Sequence, residues 1–332
     1  MLFFQIFSCT IWSFCSRELY GNHSGAISAP WVGKKRGKNL RRGAMCAIVY
    51  LFYFQPAKDD GTMNELKRMQ RIVIKVGTSS LTRADGSRNL RNMDLLSRIL
   101  SDLKGMGHEI ILVSSGAIGM GAGKLGLAAR PTQLRMKQAA AAVGQCEMMH
   151  LYDKFFGEYG QTVAQVLLTS EDVVDPVRRA HLSGTFSALL GLGVIPVVNE
   201  NDSVSSAEIE TGEHKVLGDN DTLSAIVAGL CRADLLVLLS DIDGLYDRDP
   251  HRYPDAKLIA QVTQLDDHIY EMAGGAGSKW GTGGMRTKLD AARTATGLGI
   301  DMVLTNSARM DALYDIADGK QVGTRFVAPR TL

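Results

Sequence analysis

The stretch Arg71-Ile72-Val73-Ile74-Lys75-Val76-Gly77 decides the fold. Its β-branched residues run on without alternating with polar ones, and Gly77 closes the run, so it reads as a short strand covered on both faces. Strands of that kind belong to mainly parallel sheets with helices on either side. Lys75 is the anomaly, because an ammonium buried without a counter-charge is expensive. Two readings stay open: an edge-strand lysine whose head reaches solvent, or a lysine aimed at a polyphosphate from the strand's end, beside the permissive Gly77.

Outward from this strand the same pattern repeats. Residues 92–103 have helical spacing, with Leu95, Leu96, Ile99, Leu100 and Leu103 on one face. A second buried strand, 109–113, is broken by Ser114-Ser115-Gly116 and a glycine-rich stretch to Gly126. Helices are then expected over 132–156, 180–190, 219–230, 285–298 and 311–316, and strands over 162–168, 194–198, 234–239 and 301–304. The expectation is an α/β chain, a three-layer αβα sandwich around a mainly parallel central sheet, occupying residues 69–332. Such sheets place ligands at the carboxyl ends of their strands. Gly77-Thr78-Ser79, Ser114-Ser115-Gly116, Asn199-Glu200-Asn201-Asp202 and Ser240-Asp241 all follow strands, so four polar loops should converge on one rim.

Residues 1–68 read differently. Apolar runs at 1–15 and 46–54 flank the basic Lys34-Lys35-Arg36-Gly37-Lys38 and Arg41-Arg42. The charges follow the first apolar run instead of preceding it, and both runs are short for a membrane span. The expectation is a leader, either disordered or produced by a start placed too far upstream, with Met63 and Met69 as the alternative starts; a membrane anchor or an organelle-targeting leader is the competing reading. It carries ten Lys/Arg against four Asp/Glu, so the formal +2 of the chain becomes −4 for the rest. Basic residues outside the leader are scattered among acids, which speaks against a nucleic-acid surface. Cys9, Cys15 and Cys46 lie in the leader, and Cys146 and Cys231 stand far apart in apolar surroundings. That is the usage of a reducing compartment, and a cytoplasmic protein is expected. The histidines are isolated, so no protein-held metal centre is expected.

Several motifs carry chemistry. Gly281-Thr282-Gly283-Gly284-Met285-Arg286-Thr287-Lys288 joins exposed backbone N–H groups, a helix N-terminus and a lysine, the components of phosphate recognition. It lacks Walker A spacing, so the rest of the phosphate site must come from elsewhere. Gly121-Ala122-Gly123-Lys124-Leu125-Gly126 matches a dinucleotide fingerprint but starts several residues late after its strand. Gly218-Asp219-Asn220-Asp221 opens a helix, where Asp219 or Asn220 reads either as an N-cap or as a polar ligand group. Residues 241–250 resemble a calcium loop only superficially, since the glycine comes too early and no closing glutamate follows.

Taken in order, Ile74-Lys75-Val76-Gly77-Thr78-Ser79, Ser114-Ser115-Gly116-Ala117-Ile118, Asn199-Glu200-Asn201-Asp202, Gly218-Asp219-Asn220-Asp221, Ser240-Asp241 with Gly244-Leu245-Tyr246, and residues 281–288 resemble the amino acid kinase family. The likeness is to the branch that phosphorylates the side-chain carboxylate of L-glutamate, and it spans residues 69–328. It implies transfer from ATP, with Mg²⁺, to give L-glutamate 5-phosphate in the first step of proline biosynthesis. It implies Lys75 and Lys288 on the transferring phosphoryl group, with Asp221 holding the lysines and Asp219 competing for that task. Ser115, Asp202 and Asn220 correspond to glutamate-binding positions. Lys75, Ser240, Asp241, Thr282, Gly283, Gly284, Met285, Arg286, Thr287 and Lys288 correspond to ATP-binding positions. A homo-oligomer and feedback inhibition by proline are implied as well. Fold-mates acting on acetylglutamate, aspartate, carbamate or UMP, and a non-catalytic amino-acid or nucleotide sensor, are the competing readings. Segment 205–217 is longer than in many relatives, the C-terminal PUA domain of some relatives has no counterpart, and neither does the leader.

Overall fold

The computed structural model describes residues 69–83, 87–204, 219–250, 252–273 and 284–329. The leader 1–68, the segment 205–217 with Gly218, and Gly281, Thr282 and Gly283 lie outside the described residues.

Strand β1 (Arg71–Val76) occupies the middle of the sheet, hydrogen-bonded in parallel to β2 (Glu109–Ser114) on one side and β5 (Leu235–Ser240) on the other. Among the described residues the sheet has eight strands in the order β3-β4-β2-β1-β5-β7-β8-β6. Here β3 is Val163–Leu168, β4 Ile195–Glu200, β6 Gln261–Val262, β7 Asp301–Asn306 and β8 Thr324–Phe326. Only the β7–β8 pairing is antiparallel. The two-sided apolar character of 71–76 thus has a direct cause, and the edge-strand reading of Lys75 is overturned: the strand has no free edge.

The pleat sorts its side chains into two layers. Ile72, Ile74 and Val76 pack with Met93, Leu96, Leu100, Met148 and Tyr152. These come from helices α2 (Leu90–Gly105) and α4 (Leu134–Glu158). Val73 faces the opposite layer, with Leu223 and Ala225 of helix α7 (Asn220–Cys231) and Leu289 and Ala292 of helix α9 (Gly284–Gly297). Lys75 shares the parity of Val73 and therefore points at the first turn of α7. The αβα sandwich follows from this alternation.

Local signals set the helix starts. The Asn89 carboxamide oxygen accepts from the N–H of Asn92 to begin α2. Asp175 caps α6 (Pro176–Gly191), with Pro176 in the first turn where its missing N–H costs nothing. The start is four residues earlier than apolar spacing implied, because the first turn of α6 is exposed and contributes no periodic residue. Spacing also missed α1 (Thr78–Leu81), α5 (Ser170–Val174), α8 (Asp267–Ala273), β6 and β8, all short elements. Helix α10 (Ala312–Ala317) completes the set near its expected place.

The glycine-rich stretch after Gly116 is a correction. It forms helix α3 (Ala117–Lys124), entered through Gly116 at φ +103°, a left-handed turn open to glycine. Its glycines serve packing. A Cβ on Gly121 would sit 1.8 Å from the Ala140 carbonyl oxygen, and one on Gly144 would sit 1.7 Å from the Ala117 carbonyl oxygen. Helices α3 and α4 therefore meet backbone to backbone, so the fingerprint at 121–126 cannot cradle a dinucleotide. Gly144→Ala should cost about 3 kcal/mol or more by overpacking, whereas Gly157→Ala, which meets open space on the same helix, should change stability by less than about 1 kcal/mol. Urea denaturation of both variants checks the pair; equal stabilities would refute the close crossing.

Candidate active site

The predicted rim exists. Lys75, Gly77, Thr78, Ser79, Ser115, Asp219, Asn220, Asp221, Ser240, Asp241 and Lys288 surround one cleft of about 310 Å³ at the carboxyl ends of β1, β2 and β5. The chain's strand order turns back here, with β2 and β5 on opposite sides of β1, which opens the crevice.

At its floor Asp221 bridges two lysines. Its Oδ1 lies 2.6 Å from Lys75 Nζ and its Oδ2 lies 3.2 Å from Lys288 Nζ. Thr287 Oγ1 donates to the same Oδ2 at 3.0 Å, and Lys288 Nζ also reaches the Gly284 carbonyl at 2.9 Å. The three charged side chains are only 11%, 6% and 12% exposed, for Lys75, Asp221 and Lys288 respectively. Burial pushes the Asp221 carboxyl up, but the two ammoniums and the hydrogen bonds from Lys75 and Thr287 outweigh it and hold the pKa below its ordinary 3.8. A buried ion triad is no efficient source of stability, since well-packed apolar residues often do as well. Its presence in the innermost strand points to chemistry: two cations held at the cleft without collapsing onto solvent.

Asp219 has another task. Its Oδ1 accepts from the N–H groups of Asp221 and Thr222 at 2.8 and 2.9 Å, making it the N-cap of α7. It lines the cleft, but the carboxylate holding both lysines is that of Asp221.

Asn220, between them, faces a third direction. Its Nδ2 shares two hydrogens among three acceptors, Ser115 Oγ at 2.8 Å, Asn199 Oδ1 at 3.0 Å and the Ser114 carbonyl at 3.1 Å. Asn199 Nδ2 in turn donates to Gln145 Oε1 at 3.1 Å. Asp202 stands apart from this group. It lines a neighbouring cavity of about 470 Å³ with Ala117, Gln145, Cys146, Glu200 and Asn201. Ser115 and Asn220 are thus brought together, and Asp202 is one cavity away. Ser240 Oγ donates to Asp241 Oδ1 at 3.0 Å on the far side of β1. Gly284, Met285 and Arg286 form the opening turn of α9, with Thr287 and Lys288 directed at Asp221.

Sequence reasoning passed over Gln145. A signal was there: it is a polar residue on the stripe Ala141, Gln145, Met148, Tyr152 that faces the core. Thr78 and Ser79 line the cleft as the rim expectation had it, but they do so from the short helix α1 and not from a loop.

Residues 70–306 match the amino acid kinase family. The glutamate 5-kinase of Clostridium perfringens is 53% identical over 265 residues, covering 80% of this chain and 98% of that one. The glutamate 5-kinase of Listeria innocua is 52% identical over 266 residues, 80% of this chain and 95% of that one. Solved structures of the same fold include carbamate kinase from Giardia lamblia bound to AMP-PNP (TM-score 0.57, 14% identity, 79% of this chain and 100% of that one). UMP kinase from Bacillus anthracis follows at TM-score 0.53 and 18% identity, over 80% of this chain and 99% of that one.

Replacing Asp221 by Asn leaves two buried ammoniums without their counter-charge and should destabilise the protein at pH 7 by about 3–5 kcal/mol. Because the native pKa of Asp221 is depressed, its contribution is complete above pH 3.8 and fades as pH falls through the lower native value. Urea titrations should therefore show the gap between wild type and Asp221→Asn narrowing below that pH; a gap independent of pH would refute the assignment.

Proposed function

The chain belongs to the amino acid kinase family, and from that premise we infer that it transfers the γ-phosphoryl group of ATP to the γ-carboxylate of L-glutamate, giving L-glutamate 5-phosphate, the first step of proline biosynthesis. The observation that carries the reading is the Lys75–Asp221–Lys288 triad at the rim of the central strands.

The chemical difficulty is electrostatic. A carboxylate must approach a polyanion, and two like charges about 4 Å apart repel by about 4 kcal/mol even at an effective dielectric of about 20. Two ammoniums fixed in advance offset that repulsion where charge accumulates. The carboxylate is already ionised at neutral pH, so no general base is needed. Its oxygen forms a bond to the γ-phosphorus while the bond from that phosphorus to the bridging oxygen breaks, and ADP leaves with the electron pair. No protein–substrate covalent intermediate is required; the work is alignment and charge stabilisation. Lys75 and Lys288 reach the cleft from β1 and α9 and would flank the transferring group, with Asp221 keeping both in place. Ser240, Asp241 and residues 282–288 would hold the nucleotide.

Mg²⁺ is part of the proposal. The cleft is lined by two lysines and three aspartates, Asp219, Asp221 and Asp241, so a bare polyphosphate would meet excess negative charge. That balance suits an ion that arrives on the nucleotide's phosphates and takes Asp241 or Asp219 from the protein. Bound there it would offset charge on the phosphate oxygens.

Glutamate would lie across the two cavities, its γ-carboxylate near the lysines and Ser115, its ammonium between Asn220 and Asp202. Proline shares the α-amino acid end of glutamate and lacks the γ-carboxylate, so it would fill the Asp202 side alone; inhibition by proline is proposed on that ground. A homo-oligomeric, cytoplasmic enzyme completes the proposal; among the described residues no helix is long and apolar enough to cross a membrane.

Incubation with ATP, Mg²⁺ and hydroxylamine should yield γ-glutamyl hydroxamate from glutamate, and little or no hydroxamate from acetylglutamate or aspartate and little or no ADP with carbamate or UMP. Binding of both ligands without hydroxamate would favour a sensor instead. Lys75→Met and Lys288→Met should each lower kcat by about 10²–10³-fold, with smaller changes in KM.

A further inference from the structure

Gln145 is separated from the reacting groups by two other side chains, yet the hydrogen-bond network gives it a defined part. The direction of that network is forced by one backbone group. The Ser114 carbonyl can only accept, so the atom of the Asn220 amide facing it at 3.1 Å must be nitrogen. The Asn199 atom facing the same nitrogen at 3.0 Å must then be oxygen, which turns the Asn199 nitrogen toward Gln145 and makes the Gln145 atom at 3.1 Å its oxygen. Each amide in the row is thereby fixed against a half-turn flip.

This order has a cost and a result. The cost falls on Gln145, whose Nε2 is buried and has no acceptor among the described residues. Flipping Gln145 would turn a donor onto the Asn199 donor, so the orphaned nitrogen marks an amide held for its oxygen. The result appears in the cleft. Ser115 Oγ accepts from Asn220, which leaves its own proton free to donate to a carboxylate. Asn220 has its nitrogen engaged, which leaves Oδ1 as an acceptor suited to an ammonium. Both residues line the cleft beside Lys75.

We propose that Gln145 is a positioning residue for the amino-acid substrate: by accepting from Asn199 it keeps the Asn199 oxygen on the Asn220 amide and reinforces the orientation that the Ser114 carbonyl imposes, and with it which cleft atoms donate and which accept. The inference rests on the glutamate-kinase reading for the identity of the substrate. It adds a specificity element to that reading, because an acceptor facing the ammonium and a donor facing the carboxylate favour a zwitterion over an N-acylated acid. Asn199 and Gln145 lie on different elements, β4 and α4, so the relay also ties the acceptor pocket to the helix that lines the second cavity.

The test is a double-mutant cycle on the full chain with steady-state kinetics. Gln145→Met keeps the volume and removes the amide, so Asn199 loses the acceptor that holds its oxygen toward Asn220, and Asn220 keeps only the Ser114 carbonyl and Ser115 to orient it. The expected result is a rise of about tenfold in KM for glutamate, with kcat and KM for ATP within about twofold of wild type. In the Asn199→Ala background the same substitution should have no further effect on the glutamate KM, because the relay is already cut. Thermal denaturation of each variant shows that it is folded. Gln145→Met effects that add fully to Asn199→Ala, or that raise both KM values alike, would overturn the proposal and leave Gln145 a packing residue. So would an unchanged glutamate KM in Gln145→Met. Wild-type activity on glutamate is measured first; if it is absent, the functional reading fails independently of the relay.

Discussion

One carboxylate between two ammoniums organises this protein. Asp221 draws Lys75 from the central strand and Lys288 from a helix more than sixty residues downstream onto its two oxygens. Removed from water, two lysines that close would repel each other and seek solvent; the shared acid lets both stay at the floor of a cleft. Three elements, β1, α7 and α9, are fixed relative to one another as a result. The packing of Leu223, Ala225, Leu289 and Ala292 beneath makes the arrangement rigid, so the charges are placed before any ligand arrives.

Helix geometry explains how so much is done by three consecutive residues. Successive side chains at the start of a helix point about 100° apart. Asp219 turns back on its own backbone as the cap, Asn220 turns toward β2 and β4, and Asp221 turns toward β1 and α9. The polar cluster that looked uniform in sequence divides into a structural task, an amide relay and an electrostatic one.

Much of this was legible from residues 69 onward. Continuous Val, Ile and Leu located six of the eight strands, because burial on both faces leaves no room for polar alternation, and the strand ends then located the rim. Lys75 stood out for the same reason. What escaped was decided by contacts between distant segments. Residues 117–124 looked like a loop because glycine lowers helix propensity, while the backbone crossing with α4 outweighs that preference. Strands β6 and β8 are too short for periodicity to register. Asp219 and Asp221 could not be ranked without knowing which way α7 enters the cleft, and the separation of Asp202 from Ser115 depends on two cavities that no spacing reveals.

The glycine contact between α3 and α4 reaches beyond packing. Each of Gly121 and Gly144 already carries the smallest side chain there is, so neither can shrink to accommodate growth in the other. The pair is therefore closed to compensation, unlike most core contacts, where a gain in volume on one side can be balanced by a loss on the other. Helix α3 follows directly from Ser115 and Gly116, so the position of that stretch of the rim is inherited from the crossing. Changes in the shape of the rim are left to segments outside the crossing, such as the one around Asn201 and Asp202 that lines the neighbouring cavity.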